Sequence, residues 1–159
     1  MRVGVGFDAH PLVDGRPLVL GGVRVPYERG LEGHSDADVV LHALIDAMLG
    51  AAALGDIGAH FPSSDPAYKG IASTELLRRT AELLRQRGWQ VSNADATIIA
   101  ERPKLAAYIA SMREATASVL SVEPSRVSIK ATTTNGLGFA GRGEGIAAIA
   151  VVTIEEVAS

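Results

Sequence analysis

The segment from Ile146 to Ile154 most constrains the fold, because nearly every one of its residues is apolar. A strand with one face in water alternates polar and apolar residues, whereas a strand covered on both faces does not. We therefore predict a strand here that is covered on both faces. If helices cover only one face, a second subunit covers the other, which favours a homo-oligomer. A central strand in a monomer would carry the same pattern, so both possibilities stay open.

Strands and helices mix along the chain without strict alternation. Strands are predicted over 2–7, 18–25, the end of 90–101 at Ala100, 126–134 and 146–154. Helices are predicted after a cap at Ser35 or Asp36, from a cap at Ser73 to a stop at Gly88, and from Pro103. A glycine-rich and proline-rich loop is predicted over 55–70. This order favours an α+β fold in one domain, 1–159, with a single mixed sheet, helices on one face and a ferredoxin-like sandwich arrangement.

Composition narrows the classes of partner and ligand. The net charge of −3 and the scattered basic residues argue against nucleic acid and polybasic membrane binding. The chain has no cysteine, so disulfides and thiolate metal sites are excluded and only His, Asp and Glu remain as metal ligands. No apolar run approaches membrane-spanning length and the first residues lack a signal-peptide pattern, so we expect a cytoplasmic protein.

Asp8 and His10 follow the apolar run from Val3 to Phe7. Alternate side chains of an extended strand face the same side, roughly 7 Å apart, so this carboxylate and imidazole can converge on one ion. His42, on a segment patterned as a helix, supplies a third ligand. An Asp-His-His set with an open fourth position is typical of a catalytic zinc centre. The alternative is a turn in which Asp8 bonds the nearby backbone.

Glycine motifs give weaker signals. Gly4-Val5-Gly6 lacks the third glycine of a dinucleotide-binding loop, and Gly136, Gly138 and Gly141 lie between two strands instead of opening a helix. We reject a dinucleotide site at both. The segment 136–145 is either a tight connection or a functional loop.

His34, Ser35 and Asp36 precede the helix that carries His42. Backbone amides at a helix start favour an anion, so this segment is either a phosphate site or a capping segment. Asp46, one turn beyond His42, is a candidate to support a metal ligand.

Seven short strings, in order along the chain, resemble one enzyme family. They are Gly-Phe-Asp-Ala-His at 6–10, His-Ser-Asp-Ala-Asp at 34–38, His42, Gly-Asp-Ile-Gly at 55–58, Phe-Pro-Ser-Ser-Asp at 61–65, Ala-Thr-Thr-Thr at 131–134 and Gly-Arg-Gly-Glu-Gly at 141–145. Together they are similar to the 2-C-methyl-D-erythritol 2,4-cyclodiphosphate synthases. The resemblance implies a lyase of the non-mevalonate isoprenoid pathway that converts 4-diphosphocytidyl-2-C-methyl-D-erythritol 2-phosphate into the cyclic diphosphate and CMP.

The resemblance also implies roles for individual residues. Asp8, His10 and His42 match the zinc ligands, with Asp8 and His10 also on the substrate side. His34 and Ser35 match a phosphate contact, and His34 and Thr133 match the positions that stabilise the transition state. The methylerythritol segments are Asp56, Ile57, Gly58, Phe61, Pro62, Ser63, Ser64 and Asp65. The cytidine and diphosphate segments are Ala100, Glu101, Arg102, Pro103, Lys104, Leu105, Ala106, Thr132, Thr133, Thr134 and Asn135. Phe139 and Arg142 match further substrate-side positions.

The family is homotrimeric with active sites between subunits, so the same is implied here, with an isoprenoid diphosphate as a candidate ligand of the central cavity near Arg142. Two residues depart from the family pattern. Asn135 replaces a Glu that binds a second cation, so Mg²⁺ or Mn²⁺ is expected to bind mainly through the substrate diphosphate. Ser63 replaces a common Asp, which puts that substrate contact in doubt.

Two other functions fit the same residues. A zinc-dependent phosphoester hydrolase would use the three ligands with a metal-bound water, but the sequence places no clear glutamate as general base. A trimeric module that only binds an isoprenoid diphosphate would hold zinc structurally. An open zinc position beside a nucleotide pocket discriminates against that module.

Overall fold

The computed structural model covers residues 1–159 and has an α+β architecture. The strands are β1 Arg2–Asp14, β2 Leu18–Leu20, β3 Val23–Val25, β4 Arg29–Leu31, β5 Trp89–Ile99, β6 Val127–Thr132 and β7 Gly145–Glu156. The α-helices are α1 Val39–Ala51, α2 Ile57–His60, α3 Ser73–Gln86, α4 Ile109–Leu120 and α5 Gly138–Gly141. Single 3₁₀ turns lie at 66–68, 106–108 and 124–126. None of the helices is long and apolar enough to cross a lipid bilayer.

The main sheet has the strand order β4-β1-β7-β5-β6. The central strand β7 pairs antiparallel with both β1 and β5, and β5 pairs parallel with β6, so the sheet is mixed. This confirms the strand predicted from the apolar segment, which is central in the sheet but is covered on only one face within the single chain. Helices α1, α3 and α4 pack on one face, while Val5, Phe7 and Val151 on the other face are exposed.

Helix α1 lies directly against β1 because two glycines let it approach. A Cβ added at Gly4 would lie 1.9 Å from the Ala47 carbonyl oxygen, and one added at Gly6 would lie 1.9 Å from that of Ala43. The Gly4-Val5-Gly6 string is therefore a packing feature, which agrees with its rejection as a dinucleotide motif. The contact holds the N-terminal part of α1 beside Asp8.

Three strand predictions need correction. Strand β1 does not end at Phe7 but continues to Asp14, because its ladder with β7 pairs Asp8 with Ala148 and is followed by pairing with β4. The predicted strand 18–25 is a hairpin of β2 and β3, in which Gly21 and Gly22 adopt positive φ angles of 59° and 76°. Two glycines between short strands are a hairpin signal that the prediction missed, as it missed β4.

The helix starts also differ from their predictions. Helix α1 is capped by Asp38, whose carboxylate accepts a hydrogen bond from the Leu41 amide, and not by Ser35 or Asp36. Helix α3 contains Ser73 as its first residue, after Ala72 at the cap position. Pro103 opens no helix, because the following segment first packs the buried Leu105 into the core and α4 begins only at Ile109.

Two segments predicted as loops contain short helices, and one predicted strand ends early. The segment 55–70 contains α2, capped by the Asp56 carboxylate, and the segment 136–145 contains α5. Strand β6 ends at Thr132, so Thr133 and Thr134 lie beyond the sheet. The Thr134 amide donates instead to the Glu101 carboxylate at 2.9 Å.

Candidate active site

Asp8, His10 and His42 bring three ligand atoms together. Oδ2 of Asp8 lies 2.9 Å from Nε2 of His10 and 3.1 Å from Nδ1 of His42, and the two nitrogens lie 3.4 Å apart. Ligands at the usual zinc bond lengths of about 2.0–2.1 Å occupy tetrahedral corners about 3.3 Å apart. The three atoms thus already have the spacing of one face of a zinc tetrahedron.

Two elements place these ligands. Asp8 and His10 are alternate residues in the middle of β1, so their side chains share a face, and the ladder with β7 excludes the alternative of a turn at Asp8. His42 lies in the first turns of α1, which the glycine contact holds against β1. Nδ1 of His10 donates to the Glu32 carbonyl at 2.9 Å, so in the neutral ring the lone pair lies on Nε2, on the side of Asp8. In the protonated ring Nε2 donates to the Asp8 carboxylate instead.

The electrostatics of this group favour a bound cation. Burial opposes ionisation of Asp8, but the hydrogen bonds with His10 and His42 outweigh it together and lower its pKa to about 2. The same hydrogen bond with Asp8 raises the pKa of His10. A carboxylate and two imidazole lone pairs converging on one point is a donor set that suits a divalent metal, and these residues form the one such group of the chain.

A cavity of about 220 Å³ opens beside the three ligands. It is lined by Asp8, His10, His34, Ser35, His42, Ile57, Gly58, Phe61, Ser63, Tyr68 and Leu76. The cavity therefore joins the predicted metal, phosphate and methylerythritol residues. Tyr68 and Leu76 were not predicted, and their apolar character alone gave no signal of a site. Pro62 and Ser64 are not among the lining residues.

The His34 segment is held from both sides. Nε2 of His34 donates a hydrogen bond to the Asp65 carbonyl oxygen at 3.0 Å. The His34 carbonyl accepts a hydrogen bond from the Gly70 amide at 2.7 Å. The Arg16 guanidinium donates to the carbonyls of Gly33 and Ser35 at 3.2 and 2.9 Å. Sequence reasoning missed Arg16, because a lone arginine in a predicted loop carries no pattern.

Two predicted carboxylates cap short helical turns. Asp56 accepts from the Ala59 amide at 2.9 Å through Oδ1, and Asp65 accepts from the Ala67 amide at 2.9 Å. Each retains its second oxygen for another contact. Asp46 does not hydrogen-bond a metal ligand; its Oδ1 accepts from the Ile57 amide at 2.7 Å, beside the cavity. The expected support of the metal by Asp46 is therefore not made through a hydrogen bond to a ligand.

The remaining predicted residues form a second group, at the ends of β5 and β6. Glu101 accepts hydrogen bonds from the Gly136 and Thr134 amides, which lower its pKa. Arg142 forms an exposed ion pair with Glu144 at 2.9 Å, and Thr133 Oγ1 accepts from the Asn135 amide at 3.2 Å. Ala100 and Leu105 are buried, whereas Arg102, Lys104, Ala106, Thr132, Thr133, Asn135 and Phe139 are exposed.

The two groups do not share a cavity within one chain. A second cavity of about 220 Å³ collects Glu101, Arg102 and Arg142 with Tyr27 and Arg29. The metal-side cavity contains none of them. The structure thus brings the metal and phosphate residues together and leaves the predicted cytidine residues apart from them.

Comparison with known proteins identifies the family of this chain. The model of the YgbB family matches residues 1–155. The chain belongs to the YgbB family. It is 62% identical over 154 residues to 2-C-methyl-D-erythritol 2,4-cyclodiphosphate synthase of Symbiobacterium thermophilum, a match that covers 97% of this chain and 98% of the relative. It is 63% identical over 155 residues to the synthase of Thiobacillus denitrificans, with 98% and 97% covered.

Solved structures agree with this assignment to the YgbB family. Two structures of 2C-methyl-D-erythritol-2,4-cyclodiphosphate synthase, the second in a CDP-bound form, superpose with TM-scores of 0.90 and 0.89 at 37% and 35% identity. Each match covers 97% of this chain and 100% of the other. The chain is therefore an enzyme with 2-C-methyl-D-erythritol 2,4-cyclodiphosphate synthase activity in isoprenoid biosynthesis, as the resemblance predicted. Neither alternative function gains support.

Proposed function

We propose that this YgbB-family enzyme holds Zn²⁺ with Asp8, His10 and His42 and grips the substrate diphosphate there. The observation that carries the proposal is the spacing of the three ligand atoms, 2.9 to 3.4 Å, at the wall of a cavity that also contains His34 and Ser35. When bound, the zinc would supply positive charge to neutralise phosphoryl oxygens. Because the three ligands line the cavity, a bound zinc would be within reach of a phosphate oxygen that enters it.

His34 and Ser35 are proposed to bind phosphate beside the metal. Their backbone is fixed by Arg16 on one side and by Gly70 on the other, so the two side chains keep their positions when a ligand enters. The methylerythritol part would lie along Ile57, Gly58 and Phe61, which line the same cavity. Ser63 also lines this cavity and would donate a hydroxyl where the family commonly has a carboxylate.

The nucleophile in this reaction is the substrate's own 2-phosphate. Its oxygen attacks the outer phosphorus of the diphosphate, the bond from that phosphorus to the CMP oxygen breaks, and CMP leaves as an anion. The protein's task is to hold the two phosphates in line, since well-oriented intramolecular reactions reach effective molarities of about 10⁵ M or more. Thr133 would donate a hydrogen bond to the charge that gathers on the transferred group, and His34 would do so through Nδ1 when its ring is protonated, since Nε2 donates to the Asp65 carbonyl.

We further propose a homotrimer in which the active site lies between subunits. Two features support it: Glu101 and Arg102 of the cytidine segment line a cavity separate from that of the metal residues, and the open face of the sheet is apolar. Val3, Val5 and Phe7 on β1 are 65%, 64% and 56% exposed, beside Ile149 and Val151 on β7. An apolar face of this kind on a sheet indicates contact with other protein. Sedimentation is expected to give three times the chain mass of 16.5 kDa.

A hydrolytic reaction is not favoured by the site. Such a reaction needs a carboxylate free to take a proton from a metal-bound water, but the only carboxylate that lines the cavity is Asp8, which is itself a proposed metal ligand. A magnesium or manganese ion is proposed to bind chiefly through the diphosphate. Asn135, where the family has a glutamate, offers only an amide oxygen.

Replacing one ligand tests the metal proposal. His42→Ala is expected to lose both bound zinc and CMP release, because only two of the three protein ligands remain. Zinc per chain is measured by metal analysis after dialysis, with circular dichroism to verify folding. His60→Ala is the matched control for zinc content, since its ring bonds the Leu54 carbonyl outside the cluster. Full zinc in folded His42→Ala would refute the ligand assignment.

A further inference from the structure

The far side of the His42 ring faces two serine hydroxyls. Nε2 lies 2.9 Å from Oγ of Ser73 and 3.1 Å from Oγ of Ser35, while Nδ1 faces Asp8. Ser73 is completely buried at the start of α3, and Ser35 is buried in the segment before α1. His42 is thus held between the metal site and a buried polar cluster.

The Ser73 hydroxyl has its hydrogen committed elsewhere. Its Oγ lies 2.5 Å from Oδ1 of Asp36, and an ionised carboxylate can only accept a hydrogen bond. One hydroxyl carries one hydrogen, so toward His42 the Ser73 oxygen must accept. Nε2 of His42 therefore carries the proton, and Nδ1 keeps its lone pair directed at the ligand group.

Asp36 is itself fixed by backbone donors. Its Oδ2 accepts from the Ser73 amide at 3.0 Å, and its Oδ1 accepts from the Asp38 amide at 3.1 Å. The carboxylate thereby joins the segment before α1 to the first residue of α3. With three donors in place, it has a single orientation relative to the Ser73 hydroxyl.

We infer that Ser73 and Asp36 are positioning residues that set the tautomer and orientation of His42 for metal binding. The inference rests on the proposed zinc site. Ligating histidines generally donate their second ring N–H to a carboxylate or carbonyl, and loss of that partner costs about 10–100-fold in metal affinity. In this chain the carboxylate acts through a serine. Ser35 differs from Ser73, because its oxygen accepts from the Ala37 amide at 3.1 Å and it lines the cavity.

Zinc affinity measured with the metal alone tests the inference. In competition with a chelator, Ser73→Ala is expected to bind zinc about tenfold or more weaker than the wild-type chain. Asp36→Asn is expected to weaken binding as well, and the double variant to be no weaker than Ser73→Ala alone, because the two residues act in series. Glu75→Gln is the matched control: it removes one negative charge from the first turn of α3 but contacts Arg78 and Arg79 instead of His42.

The outcomes separate this inference from the proposed function. Equal zinc affinity in wild type and Ser73→Ala, or additive losses in the double variant, would overturn the positioning role while leaving the zinc site intact. No zinc binding by the wild-type chain would overturn both. If Ser73→Ala fails to fold, ¹⁵N NMR of the His42 ring in the metal-stripped wild-type chain decides. A proton on Nε2 supports the inference, and a proton on Nδ1 refutes it.

Discussion

The Asp46 carboxylate accepts a 2.7 Å hydrogen bond from the backbone amide of Ile57. This bond connects α1, which carries His42 one turn earlier, to the start of α2, where Ile57 and Gly58 line the cavity. Burial raises the pKa of Asp46, while the Ile57 amide opposes that rise. Asp46 therefore ties the substrate side of the site to the metal side.

Removing this bond is expected to weaken substrate binding and leave the metal in place. Asp46→Ala leaves the Ile57 amide without its acceptor, at a cost of about 1–3 kcal/mol, so we expect KM to rise about tenfold with zinc content unchanged. Asp46→Asn keeps an acceptor oxygen and is expected to recover most of the affinity. Steady-state kinetics and metal analysis measure the two effects. Zinc loss with normal KM would show instead that Asp46 supports the metal.

Asn135 provides a test of the second cation. Asn135→Glu is expected to lower the Mg²⁺ concentration for half-maximal rate several-fold, because hard cations prefer a charged oxygen ligand. Asn135→Gln is the control of equal length without the charge. Asn135 has a φ of 54°, a region that asparagine tolerates better than most residues, so both variants are expected to lose about 1 kcal/mol of stability. Magnesium titrations of initial rate provide the comparison; an unchanged half-maximal concentration in Asn135→Glu would contradict the assignment.

The residue that caps α1 could not be identified from the sequence. The apolar helical pattern made Ser35 and Asp36 plausible caps, but the pattern cannot show which residue before the helix turns inward. Asp38 is completely buried because its carboxylate also accepts from the amides of Gly21 and Gly22, at 2.9 and 2.7 Å. Those contacts depend on the hairpin of β2 and β3, whereas the sequence pattern predicts a single strand there.

The metal ligands were predictable for the opposite reason. Asp8 and His10 share a face through the strict alternation of a strand, and His42 follows a recognisable helical pattern. The partners Ser73, Asp36 and Arg16 could not be predicted in the same way, because they reach the site through contacts between distant segments. The apolar segment 146–154 predicts a strand covered on both faces, whereas the exposed Ile149 and Val151 show that one of its faces is open in the single chain.

The burial of Asp38 predicts a pH dependence of stability. Burial, with repulsion from Asp36, raises its pKa from 3.8 to about 6 despite the donated bond from Gly22. The folded state then holds its proton more tightly than the unfolded state, so this contribution to stability is full below about pH 4 and lost as pH rises through 6. The rise of the Asp38 pKa from 3.8 to about 6 corresponds to about 3 kcal/mol.

Comparison with Asp38→Asn isolates this contribution. Relative to the variant, the wild-type chain is expected to gain free energy of unfolding as pH falls from 7.5 to 4.5, since asparagine does not titrate. Urea denaturation of both chains across that range provides the measurement. Parallel pH profiles would show that the Asp38 carboxyl titrates alike in the folded and unfolded states.

The enzyme closes a ring within its substrate instead of hydrolysing it. The most direct measurement is incubation of the wild-type chain, with zinc and magnesium, with 4-diphosphocytidyl-2-C-methyl-D-erythritol 2-phosphate, following CMP and the cyclic diphosphate together by ³¹P NMR. Both products are expected to appear at the same rate and in equal amounts. CMP released with an open-chain bisphosphate in place of the cyclic product would contradict this expectation.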